Sequence, residues 1–189
     1  MDLRIVEWLN SGVCRFAPWD AFMEAVMSDY LVPALSSLVL VGLWFSGGQA
    51  ERYKNQLTTI YGVGGLGFAN LGVALINISF FRDRPFVSHD LNGLFYEPTD
   101  SSFPANAAGV GFAIATAVFM RHRRLGLAMY GLAFLWAFGR VYAGVHYPTD
   151  ILGGAALGAA GTFLAYACVC ILPFVPRLVL RAARTVYIA

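Results

Sequence analysis

Residues 151–175 read ILGGAALGAAGTFLAYACVCILPFV, and not one of them carries a charge. A helix rises about 1.5 Å per residue and needs about 20 apolar residues to cross a bilayer, so this run is long enough to span a membrane. Its many glycines and alanines would make a poor helix in water, but in lipid small residues let helix backbones approach closely. The run therefore predicts a transmembrane helix that packs against its neighbours through small residues.

Four further apolar runs precede this one, at roughly 31–47, 57–80, 105–120 and 125–145. The chain of 189 residues is 58% apolar and 13% charged, whereas soluble domains average about 45–50% apolar and about 25% charged residues. A chain this short cannot bury that excess in a core of its own, so lipid is the expected solvent. The sequence predicts an all-α fold, a single integral membrane bundle over residues 1–189 with five crossings.

Both ends of the chain carry amphipathic segments. Leu3 to Ala17 mixes apolar residues with Arg4, Glu7 and Arg15, which is typical of a helix lying in the membrane interface. The stretch from Arg177 to Arg184 has the same character. With an interfacial N-terminal helix, the expected bundle has five to six helices.

The basic residues indicate which way the bundle faces. If the runs cross alternately, three basic clusters fall on one side: Arg52 with Lys54, Arg121 with Arg123 and Arg124, and Arg177 with Arg181 and Arg184. By the positive-inside rule that side is cytoplasmic, so the loop 81–104 and the junction 145–150 face outward. A net charge of +2, without a basic stripe interleaved with aromatic residues, argues against nucleic acid as a partner.

The two outward segments hold the polar residues that suggest chemistry. Arg140 lies in an apolar run, where inserting an arginine costs roughly 2.5–3.5 kcal/mol, so it is either a functional residue or one that snorkels to the interface. Its convergence with other anion-binding groups at the same face favours the functional role. Arg84 and Arg140 can fork onto phosphate oxygens, and a helix starting after Pro104 offers free backbone N–H groups to an anion. His146 can act as a nucleophile, with Asp150 four residues on to orient its second ring nitrogen.

Three motifs in these segments resemble those of the type 2 phosphatidic acid phosphatases. They are Arg84-Pro85, Ser102-Phe103-Pro104, and Arg140 with His146 and Asp150 at the spacing R-x5-H-x3-D. The flanking stretches FRDRPFVSH and GVHYPTD are most similar to the bacitracin-resistance type of undecaprenyl pyrophosphate phosphatase. The resemblance implies a six-helix bundle in a bacterial plasma membrane with its site at the outer face. It also implies that Arg84 and Arg140 hold phosphate, that His146 forms a phosphohistidine, and that Asp150 orients His146.

Two positions depart from the family pattern. The first motif usually has a lysine seven residues before its arginine, and here that position is Asn77. The second motif usually ends Pro-Ser-x-His, and here Pro104-Ala105-Asn106-Ala107 places an alanine where the general-acid histidine is expected. Asn77 and Asn106 are kept as candidates for substrate binding, and Ala107 is the position at which catalysis is expected to be impaired.

The cost of that alanine depends on the leaving group. Positioned acid-base catalysis contributes about 10²–10⁴-fold to a rate. A monoester must expel an alkoxide, whose parent acid has a pKa near that of water, roughly 16. A lipid pyrophosphate expels a phosphate whose second pKa is about 6. The residual activity is therefore expected to favour pyrophosphates.

The leading hypothesis is hydrolysis of the terminal phosphate of undecaprenyl pyrophosphate, which recycles the lipid carrier for cell-wall synthesis, without a metal or another cofactor. The alternatives are a phosphatase of phospholipid monoesters such as phosphatidic acid or phosphatidylglycerol phosphate, a non-catalytic binder of lipid phosphates, and a flippase or channel. Acidic residues scattered in the outward loop are interpreted as solvating it and not as metal ligands: Asp83, Asp90, Glu97 and Asp100.

Two other histidines have weaker claims to a role. His89 lies in the outward loop, but no spacing fixes it near the site where it would replace the missing acid. His122 lies among Arg121, Arg123 and Arg124 and is interpreted as a solvated loop residue. An engineered replacement of a histidine by Ala107 would explain an otherwise intact site more economically than natural loss, and one sequence is compatible with both.

Overall fold

The computed structural model describes residues 1–94 and 96–185. All of its regular elements are helices, and the described part of the chain contains no strand. In chain order they are α1 (Asp2–Asn10), α2 (Ala17–Met27), α3 (Leu31–Phe45), α4 (Gln49–Ser79), α5 (Pro85–Ser88), α6 (Asn106–Arg121), α7 (Arg123–Tyr142), α8 (Pro148–Ile171) and α9 (Phe174–Thr185). The predicted all-α class is confirmed.

Each of the five predicted apolar runs overlaps one of the larger helices, namely α3, α4, α6, α7 and α8. The centre of the bundle is formed by α4, α6, α7 and α8, and α3 packs mainly against α4. Glycines lie where the backbones come closest: a Cβ at Gly158 of α8 would meet the backbone of Gly109 in α6, and one at Gly65 of α4 would meet Thr162 of α8. The predicted packing through small residues is confirmed.

Within the described ranges, three helices, α4, α7 and α8, are long and apolar enough to cross a membrane. Helices α2 and α3 reach that standard only as a pair and are bent by 50° at their break. By length and composition alone, the described helices therefore account for three or, with the bent pair, four of the five predicted crossings. The fifth apolar helix, α6, has only 16 residues. Most of them are buried, because α6 packs against α4, α7 and α8.

The N-terminal segment departs from the predicted single helix over Leu3–Ala17. Helix α1 ends at Asn10, whose side-chain amide donates to the carbonyl oxygens of Asn92 at 3.0 Å and Tyr142 at 3.2 Å. The chain then turns through Cys14, which has a positive φ of 64°. Helix α2 starts anew with Pro18 in its first turn, a position where the missing proline N–H costs nothing. The buried asparagine therefore ends the helix and ties it to the bundle.

The C-terminal amphipathic segment is a helix, as expected. In α9, Leu180 and Ala183 are buried, whereas the three arginines and the apolar Phe174 and Leu178 are exposed. This division into a buried face, an exposed apolar face and a basic edge suits a helix at a membrane interface.

Two of the three basic clusters lie at the same end of the bundle, because the α6–α7 junction contacts the first turns of α4. Arg121 forms an ion pair with Glu51, and the Nε2 atom of His122 lies 2.8 Å from the Oδ1 atom of buried Asn55. The interpretation of His122 as a solvated loop residue is therefore wrong: the histidine is half-buried and hydrogen-bonded across two helices. The opposite end of these helices forms the candidate site.

Candidate active site

A cavity of about 290 Å³ opens at the end of the bundle where α4 finishes and α6 begins. It contains the sequence-predicted residues that bear on phosphate chemistry, and Asp150 lies directly behind it. The predicted residues that line the cavity are Asn77, Arg84, Asn106, Ala107, Arg140 and His146. Long-range packing thus brings together groups from four separate stretches of the chain.

Arg84 enters the cavity from the extended segment before α5 and is only 4% exposed. Its Nε atom donates to the Asp100 carbonyl oxygen at 3.0 Å, and one terminal nitrogen donates to the Asp100 carboxylate at 2.8 Å. The other terminal nitrogen lies 3.2 Å from the Val145 carbonyl oxygen and 3.1 Å from the Nε2 atom of His146. The guanidinium is therefore fixed beside the imidazole.

His146 follows α7 in the short junction before α8 and is almost fully buried. Its Nδ1 atom lies 2.9 Å from the Ser102 carbonyl oxygen, which can only accept a hydrogen bond. Its Nε2 atom faces Arg84, which can only donate. Both contacts require the same neutral tautomer, with the proton on Nδ1 and the lone pair of Nε2 directed toward the cavity.

Asp150 is fully buried in the first turn of α8. Its Oδ2 atom accepts hydrogen bonds from the Ser102 hydroxyl at 2.5 Å and from the Tyr147 backbone N–H at 2.9 Å. The same oxygen lies 3.9 Å from Nδ1 of His146, beyond hydrogen-bond distance. The nearest acceptor for His146 is therefore the Ser102 carbonyl, and the carboxylate acts on the imidazole from slightly farther away.

Arg82 pairs with the other oxygen of Asp150. One terminal nitrogen of Arg82 donates to Oδ1 of Asp150 at 2.6 Å and to the Thr149 hydroxyl at 2.8 Å. The second terminal nitrogen lies 3.4 Å from the Asp2 carboxylate, and the guanidinium sits 4.0 Å from the centre of the Tyr147 ring. Arg82 thus lies behind the site and does not line the cavity.

Arg140, in the last turn of α7, is 5% exposed and reaches the bend between α2 and α3. One terminal nitrogen donates to the Met27 carbonyl oxygen at 3.2 Å and forms an ion pair with Asp29. The other carboxylate oxygen of Asp29 accepts the hydroxyl of Tyr96 at 2.8 Å. Both cavity arginines, Arg84 and Arg140, are therefore paired with carboxylates.

The start of α6 forms a different part of the cavity wall. Ala107 is buried among apolar side chains that include Met27, Val32 and Trp136. No side chain caps this helix, and the first backbone N–H groups of an α-helix have no carbonyl partner within it. On the facing α4, the Oδ1 atom of Asn77 is buried and has no hydrogen-bond partner among the described residues. The side chain of Ala107 has no acidic or basic group with which to exchange a proton.

The environment of His146 lowers its pKa. Burial in the protein is the main cause, because it disfavours the charged imidazolium, and Arg84 and Arg140 act in the same direction. Asp150 opposes the shift. His146 is therefore held in its neutral form around pH 7.

Two interpretations of loop residues change. Asp100 does not merely solvate the loop, since its carboxylate and its carbonyl both hold Arg84. His89 lines a second cavity of about 210 Å³ together with Asp90 and Glu97, and not the cavity that contains His146. His89 is thus not placed to replace the acid missing at position 107.

Sequence reasoning missed Arg82, Asp29 and the contribution of the Ser102 carbonyl. Arg82 stands two residues before Arg84, and in extended chain such residues point to the same side, so a signal existed for a second arginine near the site. Asp29 carried no local signal, because it meets Arg140 only through the packing of α7 against α2.

The chain is similar to known proteins in both sequence and structure. The profile of the PAP2 superfamily matches residues 58–171. Undecaprenyl-diphosphatase BcrC from Bacillus subtilis is 30% identical over 148 residues, which cover 77% of this chain and 74% of that protein. The crystal structure of Aquifex aeolicus LpxE is similar with a TM-score of 0.66 at 24% identity, covering 88% of this chain and 94% of that chain. A phosphatidylglycerolphosphate phosphatase of PAP2 type from Bacillus subtilis has a TM-score of 0.62 at 23% identity, with coverages of 88% and 83%.

Proposed function

The chain belongs to the PAP2 superfamily, as its motifs predict, and we propose that within this family of lipid-phosphate phosphatases it removes the terminal phosphate of undecaprenyl pyrophosphate. The choice of substrate rests on the likeness to undecaprenyl-diphosphatase BcrC. One observation of the site supports the activity most directly: the unprotonated Nε2 atom of His146 and two buried arginines share one cavity.

In the first step, the terminal phosphate enters the cavity and its oxygens replace the carboxylate partners of Arg84 and Arg140. The Arg84 N–H that donates to Nε2 of His146 turns to a phosphate oxygen instead, and this frees the Nε2 lone pair. Nε2 then attacks phosphorus, and the bond to the bridging oxygen breaks. The leaving group is the lipid monophosphate, which takes the electron pair. The Ser102 carbonyl stabilises the positive charge on the ring through Nδ1–H, and Asp150 contributes at longer range.

In the second step, water attacks the phosphorus of the phosphohistidine and the P–N bond breaks. This releases inorganic phosphate and restores neutral His146. In the family pattern, the histidine at position 107 would protonate the leaving group and then activate water. Ala107 can do neither, so expulsion of an alkoxide and hydrolysis of the phosphohistidine are the two steps that we expect to be slow.

The proposed location is the outer face of a bacterial plasma membrane. The candidate site lies at the end of the bundle opposite the basic clusters around Arg52 and Arg121, and basic loops favour the cytoplasm. The substrate would therefore be presented from the outer leaflet, with its phosphates in the cavity and its chain in the lipid.

The test is phosphate release by the purified chain in detergent from three substrates: undecaprenyl pyrophosphate, phosphatidic acid and phosphatidylglycerol phosphate. We expect the pyrophosphate to be hydrolysed fastest. Rapid acid-free quenching and mass spectrometry of the peptide that contains His146 should detect phosphate there, with the peptides of His89 and His122 as internal controls. Faster turnover of either monoester, or phosphate on another residue, would contradict the proposal.

A non-catalytic binder of lipid phosphates is the second candidate, and Ala107 is the observation that favours it. Binding needs only Arg84, Arg140 and the start of α6. Restoring a histidine with Ala107→His separates the two candidates: an enzyme should gain phosphate release, whereas a binder should retain its affinity and gain no release. Equilibrium binding of undecaprenyl pyrophosphate to both variants gives the affinity.

A further inference from the structure

Arg82 holds a position that the proposed steps leave without a task. It lies outside the cavity, yet its guanidinium is bonded to Asp150, the carboxylate nearest to His146, at 2.6 Å. Asp150 is completely buried, and a buried carboxylate needs a cation or several hydrogen bonds to remain ionised. Among the contacts within 4 Å, Arg82 is its only arginine or lysine partner in the described part of the chain.

We propose that Arg82 is a positioning residue that restrains the charge of Asp150 and so keeps His146 neutral and nucleophilic. The inference rests on the proposed function in one respect, namely that His146 is the nucleophile. Its geometric basis is a chain of contacts from Arg82 through the two oxygens of Asp150 to Ser102, and from the Ser102 carbonyl to Nδ1 of His146.

Arg82 is itself held in place from three directions. The Tyr147 ring stacks under its guanidinium, the Thr149 hydroxyl accepts one hydrogen bond, and the Asp2 carboxylate of α1 faces its second nitrogen. Thr149 also donates to Asp2 at 2.5 Å, which closes the network. An arginine that merely snorkelled to the membrane surface would not need such a cradle.

The protonation of His146 depends on a balance of charges from several segments. Arg84 and Arg140 oppose protonation, whereas Asp150 favours it, and Asp100 and Asp29 are each occupied by one of the cavity arginines. The other groups around this balance are Arg82, Asp2, Tyr96 and Tyr147. Without Arg82, only the hydrogen bonds from Ser102 and Tyr147 would compensate the charge of Asp150. More of that charge would act on the imidazole 3.9 Å away and would favour imidazolium.

The decisive variant is Arg82→Gln, assayed for kcat/KM against pH with a lipid pyrophosphate. Imidazolium has no lone pair, so the acid limb of the profile should move to higher pH. We expect a loss of about tenfold or more near pH 6 and a smaller loss near pH 8, the former being the low end of the cost of removing an outer partner of a functional histidine. A purely structural role would lower kcat/KM equally at all pH values and would overturn the inference.

Three companion variants guard against a mere folding defect. Arg82→Lys keeps the charge and should restore the acid limb of the parent. Asp2→Asn removes the anion that competes for Arg82 and should move the limb slightly to lower pH. Arg4→Gln makes the same charge change on an exposed residue of α1 and should leave the profile unchanged. A shift in Arg4→Gln equal to that in Arg82→Gln would also overturn the inference.

A second readout does not require turnover. Diethyl pyrocarbonate modifies imidazole in its neutral form and not as imidazolium. Mass spectrometry of the His146 peptide at a series of pH values therefore reports its protonation, with the His89 and His122 peptides as references. We expect the midpoint for His146 to rise in Arg82→Gln. If the parent releases no phosphate but this midpoint rises, the proposed function fails, and the control of His146 protonation by Arg82 stands without the role of His146 as a nucleophile. If phosphate is released and neither readout moves, the inference fails alone.

Discussion

Two walls of one cavity differ in how their polar groups are supported. One wall is formed by His146 and backed by Asp150, and it is called the Asp150 wall; the wall at the start of α6 is called the Ala107 wall. On the Asp150 wall, each carboxylate oxygen has hydrogen-bonding partners in the protein, and His146 is fixed by a backbone carbonyl. On the Ala107 wall, the side chains around Ala107 are apolar, and the polar groups at hand are the amides of the first turn of α6 and the side chains of Asn77 and Asn106. For the proposed mechanism, the comparison teaches that attack and leaving-group protonation are separable: the groups proposed for attack lie together, and the side chain at position 107 offers no proton to the leaving group.

Removing the proposed nucleophile from the Asp150 wall should have the largest effect on phosphate release. His146→Gln is expected to lower phosphate release by about 10⁴-fold or more, as is usual when a member of a nucleophilic unit is lost. Binding of lipid phosphate should persist, because Arg84 and Arg140 remain. His89→Gln is the matched control, since it removes a histidine from the neighbouring cavity and should leave release unchanged. Equal losses in the two variants would refute the assignment of His146.

Adding a histidine should repair the Ala107 wall. Ala107→His is expected to raise monoester hydrolysis by about 10²–10⁴-fold, the range of positioned acid-base catalysis, and pyrophosphate hydrolysis by less. The cavity offers room for the ring, because Ala107 lines it. Ala107→Gln adds a polar side chain of comparable size that cannot exchange a proton, and it should give no such gain. If glutamine and histidine act alike, the two walls do not divide the chemistry in this way.

Ser102→Ala sharpens the comparison within the Asp150 wall. The hydroxyl bonded to Asp150 is lost, but the carbonyl that holds His146 remains. We expect the free energy of unfolding to fall by about 1–3 kcal/mol, the cost of leaving a buried polar partner unsatisfied. We also expect kcat/KM to fall by less than about tenfold, well short of the loss from removing a catalytic group. Thermal unfolding in detergent and steady-state assays measure the two effects. Ser11→Ala, an exposed serine of the N-terminal region, is the control.

The smallest of these effects should be the shift in the acid limb of kcat/KM against pH for the unmodified chain. Neutral His146 is the reactive form, and burial lowers its pKa below the usual 6.5. As the pH falls, the imidazole in the folded chain therefore stays neutral after a free imidazole would have been protonated. The acid limb of kcat/KM should accordingly lie below pH 6.5. An acid limb above that value would mean that Asp150 outweighs burial and the two arginines.

The helices and the site residues were predictable for physical reasons. The thickness of a bilayer requires long apolar runs in the helices that cross it, and residues 151–175 form such a run. Arg140 was recognisable because an arginine inside such a run is costly to keep, and Arg84 and His146 because they stand in segments expected at the same face. Their convergence on one cavity follows from helices that begin or end at the same face of the bundle.

The unpredicted contacts are those between residues far apart in sequence. The Arg82–Asp150 bond joins positions 68 residues apart, and the Arg140–Asp29 pair joins positions 111 apart. Local patterns give no register for such pairs. The break after Asn10 was missed for a related reason, since the amide that ends α1 is bound by Asn92 and Tyr142 of other segments. The burial of α6 depends on how closely its neighbours enclose it, and local sequence does not give that packing either.

The carboxylate partners of the two cavity arginines make anion binding an exchange reaction. Asp100 and Asp29 are tethered beside Arg84 and Arg140, and each acts as an internal competitor at a high effective concentration. An incoming anion must displace them to gain both guanidinium groups. Chloride, with one charge and no fork of oxygens, gains little from that exchange, whereas a phosphate with several charged oxygens engages both arginines at once. For the proposed function, the paired carboxylates would thus favour multivalent oxyanions over monovalent ions at this cavity.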